Sequence, residues 1–305
     1  MLYVLKLGLD LYNGNTDRNG GNHEFNLILA ELKFIYKELK LVTVQEASKL
    51  NFSKNDILVV ISGAEQPEML AGLKRNIERT NVKSIFITTD YRVIDRFPLI
   101  KEIEFDLALT QSLVKIEGLK AKKQAYSYVP ELFLTNDNKY SIDNFNKRQT
   151  AIIFGGNIDG RINKYKMYLG NSPIKKCLYQ SSKIEGIENR VSYGTFQESM
   201  RCFKYTIVFS DIEYENNFFV TPRLIEALNN CTIPFVDADY DKKEHFISKD
   251  SFLIVRSGEE LIEKIIALES SQDTLSQTLK ELNEMKKDFK VRRNNFCCKP
   301  FEYFK

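Results

Sequence analysis

YTIVFSDIEYENNFFVTPRLIEALNNCTIPFVDADY, residues 205–240, decides the fold. Its first five residues are a short, continuous apolar run, which is how a strand reads when helices cover both of its faces. A polar turn follows, then a helix over 221–230, then a second buried run, TIPFV, at 232–236. Strand, helix and strand at this spacing make a βαβ crossover and therefore a parallel sheet. Arg223 and Glu226 stand one turn apart at the start of the helix. On an arbitrary helix they would form an exposed ion pair of small consequence. Here they follow a strand C-terminus, where helix dipoles gather anionic ligands.

The same alternation extends in both directions. Strands are expected at 2–8, 56–62 (DILVVIS), 83–88, 105–109, 126–129, 150–154, 175–179 and 252–255. Helices are expected at 24–39, 66–80, 164–169, 196–203, 258–268 and 272–290. Residues 134–149 are polar, Asn-rich and without periodicity, and read as a linker. The expected architecture is α/β, with two Rossmann-like parallel-sheet domains facing a cleft, at 1–140 and 148–285. A C-terminal helix and aromatic tail, 286–305, cross back onto the first domain.

Composition narrows the function. With 43% hydrophobic and 28% charged residues among 305, the chain is that of a globular protein with a substantial core. No apolar run reaches the length of a membrane span, and the opening MLYVLKLGLDLY lacks the features of a signal peptide. A cytoplasmic monomer is expected. Five scattered cysteines, without zinc-ligand spacing, read as free thiols. Two histidines make a histidine-based triad improbable. The net charge of +3 is mild, but the basic residues cluster. Lys115, Lys120, Lys122 and Lys123 form one group, and 286–305 carries seven Lys/Arg against two acids. Such groups are solvated faces or phosphate contacts.

Three further strand ends carry chemistry. TAIIF leads into Gly155-Gly156, a polar loop with Asn157 and Arg161, and a helix. Paired glycines let backbone N–H groups approach a phosphate, although a Gly-Gly turn also stands without one. YTIVF leads to Asp211 and Tyr214. That aspartate either caps the next segment or, with the tyrosine, orients a polar ligand. SIFIT leads to Thr89-Asp90-Tyr91-Arg92, where Asp90 is either a turn residue or a general base. Thr221 and Pro222 read as the cap and first residue of the helix that aims Arg223.

The order and spacing of these motifs over most of the chain resemble the T4-type phage DNA glucosyltransferases, in particular the β-glucosyltransferase-like members. Thr89, Asp90 and Arg92 match a T-D-x-R segment, and Gly155 and Gly156 a strand ending in two glycines. Asp211 and Tyr214 match D-x-x-Y. Asn217, Phe218 or Phe219, Thr221, Arg223 and Glu226 match N-F-x-T-x-R-x-x-E. The resemblance implies a GT-B fold, UDP-glucose as donor, and duplex DNA with a flipped-out hydroxymethylated pyrimidine as acceptor. It implies Asp90 as catalytic base, Arg223 on the diphosphate, Glu226 on the ribose, and Asp211 and Tyr214 near the sugar. Gly155, Gly156, Asn157 and Arg161 complete the donor site, and Arg92, Lys120, Lys122 and Lys123 face the DNA. Mg2+ or Mn2+ could aid product release, but no carboxylate cluster announces a metal ligand set. After Gly-Gly the family carries a serine and two arginines, where this chain has Asn157, Asp159, Arg161 and Asn163. A GT-B enzyme acting on a surface glycan or protein would keep the same donor residues.

Overall fold

The computed structural model describes residues 1–7, 20–62, 67–89, 98–155, 161–170, 172–174, 176–179 and 193–302. It divides into two units, Met1–Leu132 with Arg293–Lys305, and Phe133–Arg292.

The first unit is a six-stranded parallel sheet: β1 Leu2–Lys6, β2 Leu39–Leu41, β3 Ile57–Ile61, β4 Lys83–Thr88, β5 Phe105–Thr110 and β6 Ala121–Tyr126, in the order β2-β1-β3-β4-β5-β6. The connecting helices are α1 Gly20–Ile35, α2 Val44–Ala47, α3 Pro67–Thr80 and α4 Pro98–Glu102. The apolar runs are continuous because both faces are buried. Leu58, Val60, Phe86 and Ala108 point into a core with Leu70, Leu73 and Ile77 of α3. Their neighbours Val59, Ile61, Ile85, Ile87, Leu107 and Leu109 point the other way, onto Phe25, Ile28 and Leu32 of α1.

The second unit is a five-stranded parallel sheet: β7 Gln149–Gly155, β8 Lys176–Tyr179, β9 Phe203–Val208, β10 Ile233–Asp237 and β11 Ile254–Val255, in the order β11-β10-β9-β7-β8. Its helices are α5 Ile142–Asn146, α6 Ile162–Tyr165 running into a π-turn at Lys166–Gly170, α7 Tyr193–Met200, α8 Ile212–Asn216, α9 Arg223–Asn229, α10 Gly258–Ser270 and α11 Gln272–Glu302. The order reverses between β7 and β9, which makes their C-terminal ends the switch point where an open sheet receives ligands.

Two sequence expectations change. The strand expected at 126–129 lies instead at β6, AKKQAY. β6 is an edge strand, so its polar, lysine-bearing pattern hides it from a search for apolar runs. The stretch 134–149 is a structured part of the second unit. The amides of Thr135 and Asn136 donate to Asn229 Oδ1 at 2.8 and 2.9 Å. The Tyr140 amide donates to Asn283 Oδ1 at 2.9 Å, and its hydroxyl to the Thr232 carbonyl at 2.9 Å. Ser141 caps α5. α11 runs twelve residues beyond the expected 290, and Phe296 enters the α1 side of the first unit's core, with Arg293 paired to Glu31. Among the described residues no helix is long and apolar enough to cross a membrane.

His245 gives the second unit a pH dependence. Burial lowers its pKa below the ordinary 6.5, and Arg292 lowers it further against the opposing pull of Asp241. The unfolded chain therefore binds a proton that the folded chain resists, and stability is lost as pH falls below about 6.5. Urea midpoints at pH 7.5 and 5.5 should differ more in the natural protein than in His245→Gln.

Candidate functional site

At the switch point Phe154 and Gly155 at the end of β7, Thr206–Phe209 at the end of β9, and Phe196 and Met200 of α7 line a pocket with the side chains of Arg161 and Arg223. Two cations at the C-terminal edge of a parallel sheet suit an anionic ligand.

Arg223 opens α9. Pro222 is the N-cap residue, without a side-chain cap, so the expectation of Thr221 as cap and Pro222 as first helical residue is corrected. Thr221 is tied elsewhere: the Tyr240 hydroxyl donates to its carbonyl at 2.5 Å. Arg223 Nη1 donates to Glu226 Oε2 at 2.9 Å, and the Tyr193 hydroxyl to Glu226 Oε1 at 2.8 Å. The arginine side chain keeps 29% exposure while the glutamate's has 3%, so this is not a surface ion pair. Burial alone would lower the arginine pKa, but Glu226 and Tyr193 outweigh it and hold the guanidinium firmly charged. The guanidinium also lies 5.7 Å from the Phe196 ring centroid.

Gly155 has a packing reason to be glycine. A Cβ there would fall 2.3 Å from the Phe196 ring, which lies over the strand end and joins the Ala151, Ile153 and Ala227 cluster. Asp211 is the N-cap of α8, accepting from the Glu213 amide at 3.4 Å, and Tyr214 is buried in a stack with Phe219 at 5.2 Å. Both thus have structural work whatever the ligand. Asp90, Arg92, Gly156 and Asn157 lie outside the described residues. The chain reaches Asp90 from Thr89, whose amide donates to Ser62 Oγ at 3.0 Å.

The basic clusters are less available than the sequence suggests. Lys122 pairs with Asp106 at 2.6 Å across β5 and β6. Lys286 is buried and donates to the carbonyls of Asn138 and Leu228 at 2.7 and 3.1 Å. Lys290 pairs with Asp137, and Arg292 donates to the His245 carbonyl. Lys120 and Lys123 are exposed along the β6 edge.

Sequence reasoning missed a second cluster at the same sheet edge. Lys164 of α6 meets Glu215 of α8 and, at 2.6 Å, Asp237 at the end of β10, with Asp239 at 4.0 Å. The Tyr168 hydroxyl donates to the other Asp237 oxygen at 2.5 Å. Burial raises the Glu215 pKa, Lys164 pulls it down, and Asp237 and Asp239 raise it again, leaving it above the ordinary value. The Asp237-x-Asp239 pair after a strand was the visible signal. Lys164 lies 51 residues from Glu215 and 73 from Asp237 in sequence, and no local pattern announces their meeting.

No family model matches this chain, and no curated protein matches its sequence. Solved structures do match its fold. T4 phage β-glucosyltransferase in complex with its UDP-glucose substrate superposes with a TM-score of 0.73 at 13% identity, over 99% of this chain and 98% of that one. The same phage enzyme with UDP and Mn2+ gives 0.71 at 13% identity, over 99% of both chains. Anabaena HepE with UDP and glucose gives 0.57 at 10% identity, over 97% and 98%. At these identities the likeness is one of fold, and the chain has the GT-B architecture of two parallel α/β sheets.

Two substitutions test the site. Arg223→Met leaves the buried Glu226 carboxylate with Tyr193 alone, and should cost about 1–3 kcal/mol in a urea titration. Gly155→Ala drives a methyl into the Phe196 ring and should lower the melting temperature. Gly155→Ala with Phe196→Leu should recover part of that loss.

Proposed function

We propose that the chain is a UDP-sugar-dependent hexosyltransferase that moves glucose, or a related hexose, onto the hydroxymethyl group of a 5-hydroxymethylcytosine or 5-hydroxymethyluracil in duplex DNA. The observation that carries the reading is the pocket at the β7/β9 switch point, with Arg161 and Arg223 on its wall and Glu226 held beneath Arg223. It is further supported by the presence of UDP-glucose in a solved structure of the same fold, and by that T4 enzyme's description as a DNA-modifying enzyme.

Arg223 and Arg161 neutralise the diphosphate, Arg223 through two parallel N–H donors. Glu226 accepts from the ribose hydroxyls. Each of its oxygens already accepts one hydrogen bond, and a carboxylate oxygen has room for another. The backbone of Gly155, Gly156 and Asn157 approaches the phosphates, and Asp211 and Tyr214 lie toward the sugar. Asp90 removes the proton of the hydroxymethyl group as its oxygen attacks the anomeric carbon. The bond from that carbon to the diphosphate oxygen breaks, and the departing UDP keeps the electron pair and is stabilised by the arginines. Arg92, Lys120 and Lys123 contact the DNA backbone, with Lys122 restrained by Asp106. The protein acts as a monomer in the cytoplasm, that of an infected bacterium if it is phage-encoded.

Mn2+ accompanies UDP in one structure of this fold. Among the described residues the carboxylates that converge are Glu215, Asp237 and Asp239, and they already enclose the Lys164 ammonium. As it stands that trio does not fit a further cation.

Nucleoside mass spectrometry tests the proposal, using UDP-glucose and duplexes with cytosine, 5-hydroxymethylcytosine or 5-hydroxymethyluracil. A hexose on one hydroxymethylated base and none on cytosine is expected. Asp90→Asn should lower transfer on the order of 10²–10⁴-fold and leave UDP affinity unchanged. UDP-glucose binding without transfer to any duplex would move the acceptor to a glycan or protein.

A further inference from the structure

The segment 161–170 carries one wall of the anion pocket, since Arg161 precedes α6 directly. Two side chains of that segment, Lys164 and Tyr168, are four residues apart and so share one helical face. Both end on Asp237, the lysine on Oδ1 and the tyrosine on Oδ2. Lys164 also reaches Glu215, whose side chain has 0% exposure, and approaches Asp239, whose side chain has 61%. Glu215 Oε2 is buried without a hydrogen-bond partner. One ammonium therefore serves three carboxylates, and one buried oxygen is left unsatisfied.

One carboxylate oxygen from each of Glu215, Asp237 and Asp239 lies within 4.8 Å of the other two. Oxygens around a divalent cation sit about 2.0–2.6 Å from it, and so up to about 5 Å apart. Their spacing is that of ligands to one ion, yet the centre is taken by a side chain. We propose that Lys164 is the built-in cation of this carboxylate cage and a positioning residue for the donor site, fixing Arg161 on the pocket wall by tying α6 to α8 and to the end of β10. The role in donor binding rests on the function proposed above, whereas the cage does not.

A lysine in this place differs from a metal ion in one testable respect: its charge is covalently part of α6. Removing it frees the cage for a diffusible ion and releases the segment that carries Arg161. Three proteins are compared: the natural chain, Lys164→Ala, and Lys164→Ala with Asp237→Asn. Mn2+ binding is read by electron paramagnetic resonance, and UDP affinity by calorimetry, with and without Mn2+.

Lys164→Ala is expected to take up one Mn2+ that the natural chain does not bind at this place, and the double variant to lose it. UDP affinity should fall on the order of tenfold in Lys164→Ala without metal, and part of that loss should return with Mn2+. If Lys164→Ala fails to fold without metal, Lys164→Gln replaces it, with the same readouts. A folded variant that binds no additional Mn2+ overturns the cage. One that binds UDP as the natural chain does, with or without metal, overturns the positioning role. If the natural chain itself binds no UDP, the donor reading falls, and the Mn2+ titration still decides the cage.

Discussion

The place of Arg223 on the pocket wall depends on how the carbonyl end of α9 is held. A helix of seven residues has little stability of its own, and its last carbonyls need partners. A half-buried arginine and a buried lysine supply partners at and just beyond that end. Arg148 donates to the carbonyls of Asn230 and Cys231 at 2.8 and 2.6 Å, and Lys286 to that of Leu228 at 3.1 Å. Both sit where the helix dipole is negative, so the charge and the hydrogen bonds act together. Burial lowers the pKa of each, the direction expected for a cation withdrawn from water. With one end of α9 fixed by cations, Arg223 at its other end has a defined place over the β9 strand end.

This clamp accounts for features that looked unrelated in the sequence. The Asn-rich stretch 134–149 lacks periodicity because its side chains serve as hydrogen-bonding partners instead of forming an apolar face. Asn136 accepts from Lys286 at 3.0 Å while its amide meets Asn229, and Tyr140 reaches Thr232. Lys286 belongs to the basic C-terminal run, which reads in sequence as a solvated face or a phosphate contact. Lys286, Lys290, Arg292 and Arg293 spend that charge on carbonyls and carboxylates of the protein. A count of lysines and arginines along the sequence cannot tell a groove from a set of helix caps, because the caps' acceptors are backbone atoms that every residue has.

The parallel sheets were legible because burial on both faces leaves an unbroken apolar run, as in ILVVI of β3 and YTIV of β9. The edge strand β6 was not, since half-solvated AKKQAY has no such run. Arg223 and Glu226 were legible as a pair, for they are neighbours on one helical turn. Tyr193, which donates to the glutamate's other oxygen, lies 33 residues away and carried no signal. In sequence Gly155 reads either as a residue that lets a ligand close to the backbone or as part of a Gly-Gly turn that needs none. The space its missing Cβ opens is filled by Phe196, so the glycine has a packing reason that its neighbours in sequence could not reveal.

The C-terminal edge of the second sheet separates charge by sign. Arg161 and Arg223 line the pocket at β7 and β9, while Glu215 and Asp237 lie behind α6 and take Lys164 between them. Without that lysine, the buried carboxylates would face one another beside a pocket lined by two arginines, and like charges at such range repel strongly in a poorly solvated setting. Placing the neutralising ammonium three residues after Arg161 solves two problems with one side chain. It quenches the acids, and it ties down the segment that carries Arg161 on the pocket wall. Electrostatic balance and loop geometry are therefore not independent at this edge, and a change to either is felt in the other.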